Sequence, residues 1–282
     1  MITLSPEELT RVASQVRRDI IRMTHGAASG HPGGSLGVTD VLVALYFSIM
    51  LPDPEHFTMD GVDEDLLFVS NGHTSPAWYS VLARYGYFDI DELRTFRKLD
   101  SRLQGHPSPL DEIPGIRMAS GSLGQGLSVA LGAALVKKLN QDAHAVFCLM
   151  GDGELQEGQN WEAFLYGAAR KVDNLIALID YNGKQIDGSL DEVVSLGDLR
   201  GKLTAFGWGV LEVEGNNMEA VIDGLTAAKA QLHQDKPVVI ILHTHMGYGV
   251  DFMVDNHNWH GVAPGDEEAT RALAQLDETR DY

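Results

Sequence analysis

Leu9, Val12, Ala13, Val16, Ile20 and Met23 recur at the three- and four-residue intervals of one apolar helix face. Ser5-Pro6-Glu7-Glu8 ahead of them reads as a helix start, with a capping serine, a first-turn proline and a glutamate that completes a capping box. The pattern stops at Gly30-His31-Pro32-Gly33-Gly34, which reads as a loop, and a second helix is predicted over 38–50. The apolar run LLFVS at 66–70 predicts a short buried strand. It enters Asn71-Gly72-His73, and a helical stretch then continues to Tyr85. Residues 89–97 pattern as a helix. Periodicity is lost over 98–119, among Gly105, Pro107, Pro109, Pro114 and Gly115, so a long loop is expected there. Residues 121–139 open with glycines and continue as an apolar, alanine-rich helix.

From there the chain alternates. Strands are predicted at 145–150, 175–180, 210–214 and 237–243, with helices over 156–171, 191–206 and 218–232. Apolar strands alternating with helices indicate an α/β fold: a doubly wound, mostly parallel sheet with helices on both faces. No repeat or linker divides it, so 1–265 reads as one domain. Residues 266–282 form a charged terminal segment, either a packing helix or a frayed end.

Charge and cysteine narrow the class. Forty acidic residues against twenty-one basic ones leave a formal charge of −19. That field repels nucleic acid and anionic membranes, so neither is an expected partner. Cys148 is the one cysteine and sits in the apolar run 145–150, which predicts a buried structural thiol. No disulfide framework, no charged-then-apolar leader and no apolar run near the ~20 residues of a bilayer span are visible, so a cytoplasmic location is expected.

The chemistry concentrates after the strand at 145–150. Gly151-Asp152-Gly153-Glu154 follows it directly, and Asn182 follows the next strand. In such sheets ligands bind at the carboxyl ends of strands, and one crossover brings the two side chains together. A carboxylate, an amide oxygen and loop carbonyls are hard ligands suited to Mg²⁺ or Ca²⁺, with a bound phosphate supplying further oxygens. Flanking glycines and a following helix N-terminus favour an anionic group, so the segment reads as a metal–diphosphate site.

The spacing from GDG to Asn182 matches the thiamine diphosphate motif, and six further motifs stand in the order seen in transketolases. These are GHPGG at 30–34, SNGH at 70–73, GHP at 105–107, GSLGQG at 121–126, IDG at 186–188 and WHG at 259–261. The chain thus resembles the diphosphate-binding half of a transketolase over about residues 10–265. That resemblance implies thiamine diphosphate as cofactor and a metal held by Asp152, Asn182 and the backbone carbonyl of Lys184. It places Gly153 against the diphosphate, Gly121, Ser122 and Leu123 near the cofactor, and Glu157 at an inter-subunit cofactor interface. Ser122 stands where the family often has proline, and Lys184 where an apolar residue is usual.

Eleven histidines need sorting. His25, His56, His144 and His233 read as ordinary surface or core residues. His31, His73, His106 and His260 lie in glycine- or proline-bounded loops, where imidazoles suit proton traffic at sugar hydroxyls and carbonyls. His257 and His260 are too few for a zinc site. The resemblance puts His31 and His260 near the reacting sugar carbons, His73 close to the cofactor and His106 on the donor side. His243, His245 and His257 have no assigned role.

In the family a pyrimidine-binding domain, which carries the glutamate that activates the cofactor, normally follows in the same chain. No such domain is recognisable before Tyr282. The expectation is therefore a split transketolase that moves a two-carbon ketol unit from a ketose to an aldose. A second subunit of C-terminal transketolase type would supply the pyrimidine domain in an α2β2 assembly acting on sugars or sugar phosphates. The apolar helices at 126–139 and 161–169 are candidate interface elements. The alternatives are another thiamine-dependent carboligase, such as a 1-deoxyxylulose-phosphate-type enzyme, or a non-catalytic subunit that binds metal and diphosphate.

Overall fold

The computed structural model describes residues 4–282. Helix α1, Pro6–Ala27, begins with the expected capping box: Glu8 N–H donates to Ser5 Oγ and Ser5 N–H to the Glu8 carboxylate. Helix α2, Pro32–Ala44, continues through a π-helical turn, Leu45–Met50. It starts six residues earlier than the predicted helix over 38–50, so Gly33, Gly34 and Gly37 are helical. Pro32 suits the first turn, and burial of the whole helix offsets the poor propensity of its glycines. With those residues included, Pro32–Met50 becomes a 19-residue helical stretch apolar and long enough to cross a membrane, yet it is a core element packed against α1.

Strand β1, Leu66–Val69, leads through a turn at Gly72–Thr74 into α3, Ser75–Tyr85. The segment expected as a helix over 89–97 is a 3₁₀ helix, Ile90–Thr95. Its buried side chain, Leu93, and that of Phe96, which ends it, are three residues apart, which suits three residues per turn. After the long loop come α4 (Gly126–Leu139), β2 (Val146–Gly151), α5 (Gly158–Ala169) and β3 (Leu175–Tyr181). A small hairpin, β4 (Lys184–Gln185) and β5 (Gly188–Ser189), had no sequence signal of its own. The single helix predicted over 191–206 is two, α6 (Leu190–Val193) and α7 (Leu199–Ala205). The break between them holds Gly197 at φ +54° and the Asp198 cap of α7. Strand β6 (Gly209–Glu214), α8 (Met218–Lys229), β7 (Val238–His243) and α9 (Asp266–Leu273) complete the order.

The sheet runs β1-β2-β3-β7-β6 with every pairing parallel. Alternate strand residues face opposite sides. Leu67, Val69, Phe147, Leu149, Ile176 and Leu178 join the core formed with α1, α2, α3 and α8. Phe68, Val146, Cys148, Met150, Ala177 and Ile179 join the core under α4, α5 and α7. Cys148 is fully buried, and burial pushes its thiol well above the ordinary range. The chain is therefore an α/β protein with both sheet faces covered.

The charged terminal segment is packed. α9 lies on α1, and the residues after it run along the same helix. Gln15 Oε1 accepts from the backbone N–H groups of Thr279 and Arg280 at 2.6 and 2.8 Å. Arg18 pairs with Asp281 at 2.7 Å and Arg22 with the same carboxylate at 2.5 Å. The Arg22 guanidinium also lies 4.4 Å from the centre of the Tyr282 ring.

Candidate functional site

The carboxyl ends of β2 and β3 lie side by side, with Gly151 opposite Asp180 in the ladder. They floor a cavity of about 410 Å³. Asp152 leaves β2 with only 2% exposure, and its two oxygens accept from Gly153 N–H (2.7 Å) and Gly183 N–H (2.6 Å). Asn182 follows β3, and its Oδ1 accepts from Lys184 N–H at 2.9 Å. Each of these oxygens keeps a second lone pair for a cation.

Two buried carboxylates join this floor without having been singled out in the sequence. Asp180, 2% exposed, accepts from Thr244 Oγ1 and, at 3.1 Å, from Asn182 Nδ2. Glu154, also 2% exposed, accepts from Ser70 Oγ, Gly124 N–H (2.7 Å) and Gly151 N–H (3.1 Å). Glu154 thereby ties the ends of β1 and β2 to the loop before α4. Glu154 had a signal in the motif GDGE; Asp180 was hidden as the last polar residue of an apolar strand. Burial first, and then the charge of Asp180, pushes the Asp152 carboxyl well above its ordinary range. Burial raises Asp180 and Glu154 as well. Lys184 is the one lysine or arginine among the described residues lining the cavity.

Four histidines form the opposite wall. His31 caps the start of α2, His73 sits in the turn after β1, His106 in the long loop and His260 after the short 3₁₀ turn His257–Trp259. The ring centres of His31 lie 5.3 Å from His73, 6.2 Å from His106 and 5.7 Å from His260, and those of His73 and His260 are 5.1 Å apart. Burial, reinforced by the charges of His260, Arg97 and His106, holds His31 down at about 4. Burial likewise lowers His73, His106 and His260, so all four rings are neutral near pH 7.

Of the residues picked out in the sequence, His31, His73, His106, Gly121, Leu123, Asp152, Gly153, Glu157, Asn182, Lys184 and His260 all line this one cavity. Ser122 does not; it is exposed between Gly121 and Leu123. Gly121 has φ +129°, and a Cβ there would lie 2.9 Å from His106 Cγ, so a side chain would displace that ring. His25 and His56 pair with the exposed Asp266 and Asp53, and His144 with the largely buried Asp142. His243 pairs with Glu212 and His245 with Asp255, both outside the cavity lining.

The residues present fit a cation and a polar cofactor. Buried carboxylate oxygens share the floor, and Asn71 Oδ1, His31 Nδ1 and His260 Nδ1 at the cavity wall are buried with no hydrogen-bond partner among the described residues. Such groups are costly unless a ligand or water completes them.

A parallel sheet whose carboxyl edge opens onto a cavity is the architecture of an α/β domain that binds a cofactor at the ends of its strands. Residues 9–278 match the thiamine diphosphate binding domain of transketolase, and the chain belongs to that family. It is 36% identical over 274 residues to a subunit of the apulose-4-phosphate transketolase of Actinobacillus succinogenes, covering 97% of both chains. It is 37% identical over 270 residues to the 6-deoxy-6-sulfo-D-fructose transketolase subunit SqwG of a Clostridium species, covering 96% of each. The solved transketolase of Campylobacter jejuni superposes with a TM-score of 0.86 at 32% identity over 95% of this chain. The chain spans about two-fifths of that protein, 42% of its length.

Proposed function

We propose that this chain is the thiamine-diphosphate-binding subunit of a two-component transketolase. What carries the reading is the convergence of Asp152, Asn182, Lys184 and four neutral histidines on one cavity. The Actinobacillus and Clostridium relatives, matched along nearly their whole length, bear the name of a transketolase subunit, and the transketolase of Campylobacter jejuni is more than twice as long. In this reading Asp152, the Asn182 side chain and the Lys184 carbonyl hold Mg²⁺, and Gly153 and the 121–123 loop admit the diphosphate. Thiamine diphosphate, when bound, supplies the nucleophilic carbon and the electron sink that cleavage beside a ketose carbonyl requires.

The chain's own task is orientation and proton handling. Neutral imidazoles can both donate and accept, so His31, His106 and His260 can hold sugar hydroxyls and exchange a proton with the reacting oxygen. His73 sits deepest by the same burial that lowers its basicity, and it shapes the wall against the cofactor. The partner would be a C-terminal transketolase-type subunit carrying the pyrimidine domain. The apolar residues left exposed on α4 and α5, namely Val129, Val136, Leu139, Leu165 and Tyr166, support a docking face there.

Reconstitution tests the reading. The chain mixed with its partner, thiamine diphosphate and Mg²⁺ should transfer a ketol unit from a ketose to an aldose, and the chain alone should not. His260→Ala in the pair should lower kcat by about 100-fold or more while leaving cofactor affinity within a few-fold. Pyruvate consumption in place of ketose cleavage would favour the 1-deoxyxylulose-phosphate-type alternative. Cofactor binding without any turnover would favour a non-catalytic subunit.

A further inference from the structure

The amide of Asn182 has two orientations, related by a half-turn about its last bond. Only one offers oxygen to a cation. The other would point an NH₂ group at it and repel it.

Two independent neighbours select the oxygen-outward orientation. On one side Asp180 accepts from Nδ2 at 3.1 Å. On the other, Lys184 N–H donates to Oδ1 at 2.9 Å. A flipped amide would set its oxygen against the Asp180 carboxylate and its NH₂ against the Lys184 N–H. Both contacts would then be lost together.

Asp180 can act as a template only if its own carboxylate is fixed. Its other oxygen accepts from Thr244 Oγ1, one residue beyond the end of β7. Its backbone carbonyl accepts from Asp152 N–H at 3.1 Å, which fixes the height of Asp152 relative to β3. Both side chains are shielded, with Asp180 2% and Thr244 5% exposed. A second buried carboxylate beside Asp152 is costly on its own account, and its two hydrogen-bond partners are what its charge is placed to meet.

We infer that Asp180 and Thr244 are positioning residues of the metal site: Thr244 holds the Asp180 carboxylate, which holds the Asn182 amide with its oxygen toward the cation. Asp180 also adds a negative charge behind the site, so cation affinity depends on it twice. Neither residue touches substrate. The inference rests on the proposed metal–diphosphate reading of the cavity.

Mn²⁺ binding to the full chain, in the presence of its partner and thiamine diphosphate, tests the role by electron paramagnetic resonance of the free ion. Partners that orient metal ligands typically change affinity by about 10–100-fold. Thr244→Val, which replaces the hydroxyl by a methyl group of similar shape, should weaken Mn²⁺ binding about 10-fold. Thr244→Ser keeps the donor and should stay within about threefold of the wild type. Asp180→Asn, which removes the charge and lets the amide turn, should weaken binding by more than Thr244→Val. If Asn182→Ala loses the ion while Thr244→Val and Asp180→Asn bind as the wild type does, the positioning role is overturned and the metal reading stands. If the wild type takes up no Mn²⁺, both are overturned. Should Asp180→Asn fail to fold, Thr244→Val against Thr244→Ser decides alone.

Discussion

Asp152, Asp180 and Glu154 are each 2% exposed, and Lys184 is the only fixed cation among the described residues lining the cavity beside them. Glu154 is satisfied internally by Ser70, Gly124 and Gly151, so it acts as a strut. Glu154→Ala would leave two buried N–H groups and a hydroxyl without their acceptor. It should cost about 2–4 kcal/mol in urea unfolding. Glu154→Gln keeps an acceptor for Gly124 but turns an NH₂ group toward Gly151 N–H, and should cost less than the alanine change. His31 makes a second residue-scale prediction. Its folded value of about 4 lies below the 6.5 of an unperturbed imidazole. Between the two the unfolded chain binds more protons, so this contribution to stability is complete above pH 6.5 and is lost as pH falls toward 4. Burial raises the Asp152, Asp180 and Glu154 carboxyls, which act in the opposite sense over the same window, so the His31 share is read as a difference: between pH 7 and 4.5 the urea midpoint of His31→Gln should change in a more favourable direction than that of the wild type. An unchanged slope in the variant would assign the acid sensitivity to other groups.

At the scale of elements, α2 decides how the His260 loop sits. A Cβ on Gly37 would lie 2.8 Å from the His245 carbonyl oxygen, and one on Gly33 would lie 2.8 Å from that of Trp259. Gly247 N–H donates to Gly33 O at 2.8 Å, so the segment after β7 lies directly on the helix backbone. Gly37→Ala should cost about 1–3 kcal/mol by overpacking and should lower turnover by shifting His260. Gly132 is the contrast: it is inside α4, and a Cβ added to it would meet nothing within 4 Å. Gly132→Ala should raise the stability of the isolated chain by about 1 kcal/mol, read in the same urea assay. These two glycines also explain what was legible in the sequence. The capping box of α1, the strand–helix alternation and the ends of β2 and β3 follow from local patterns that tertiary packing leaves intact. The start of α2 does not, because a glycine cluster that serves close packing looks like one that serves a turn. Likewise Asp180 is meaningful only through its neighbours in space, and no spacing along the chain announces it. Ser122 lies outside the cavity lining because its motif neighbours face inward and its own side chain faces out.

At the scale of the whole molecule, one parallel sheet sends every loop of consequence to a single edge, and the opposite face of α1 is closed by the terminal segment. Arg18 has 9% of its side chain exposed and meets Asp281 and Glu278 there. Asp281, held by Arg18, sits well below the ordinary carboxylate range. Removing residues 277–282 would take both carboxylates from Arg18, leaving it the Leu273 and Leu276 carbonyls, and would free Arg22; it should cost about 2–4 kcal/mol, lowering Tm by about 5 °C or more in a calorimetric scan. A truncated chain that melts as the full chain does would show that these pairs contribute little.

The same packing bears on the making of hybrids. Residues 14–22 and 273–282 lie more than 250 positions apart in the sequence yet share Gln15, Arg18 and Arg22 contacts. A chimaera cut near residue 265, where the charged segment begins, would join one parent's α1 to the other parent's tail and scramble these matched pairs. The two ends behave as a single inheritance unit, and a crossover that respects it exchanges both together or neither.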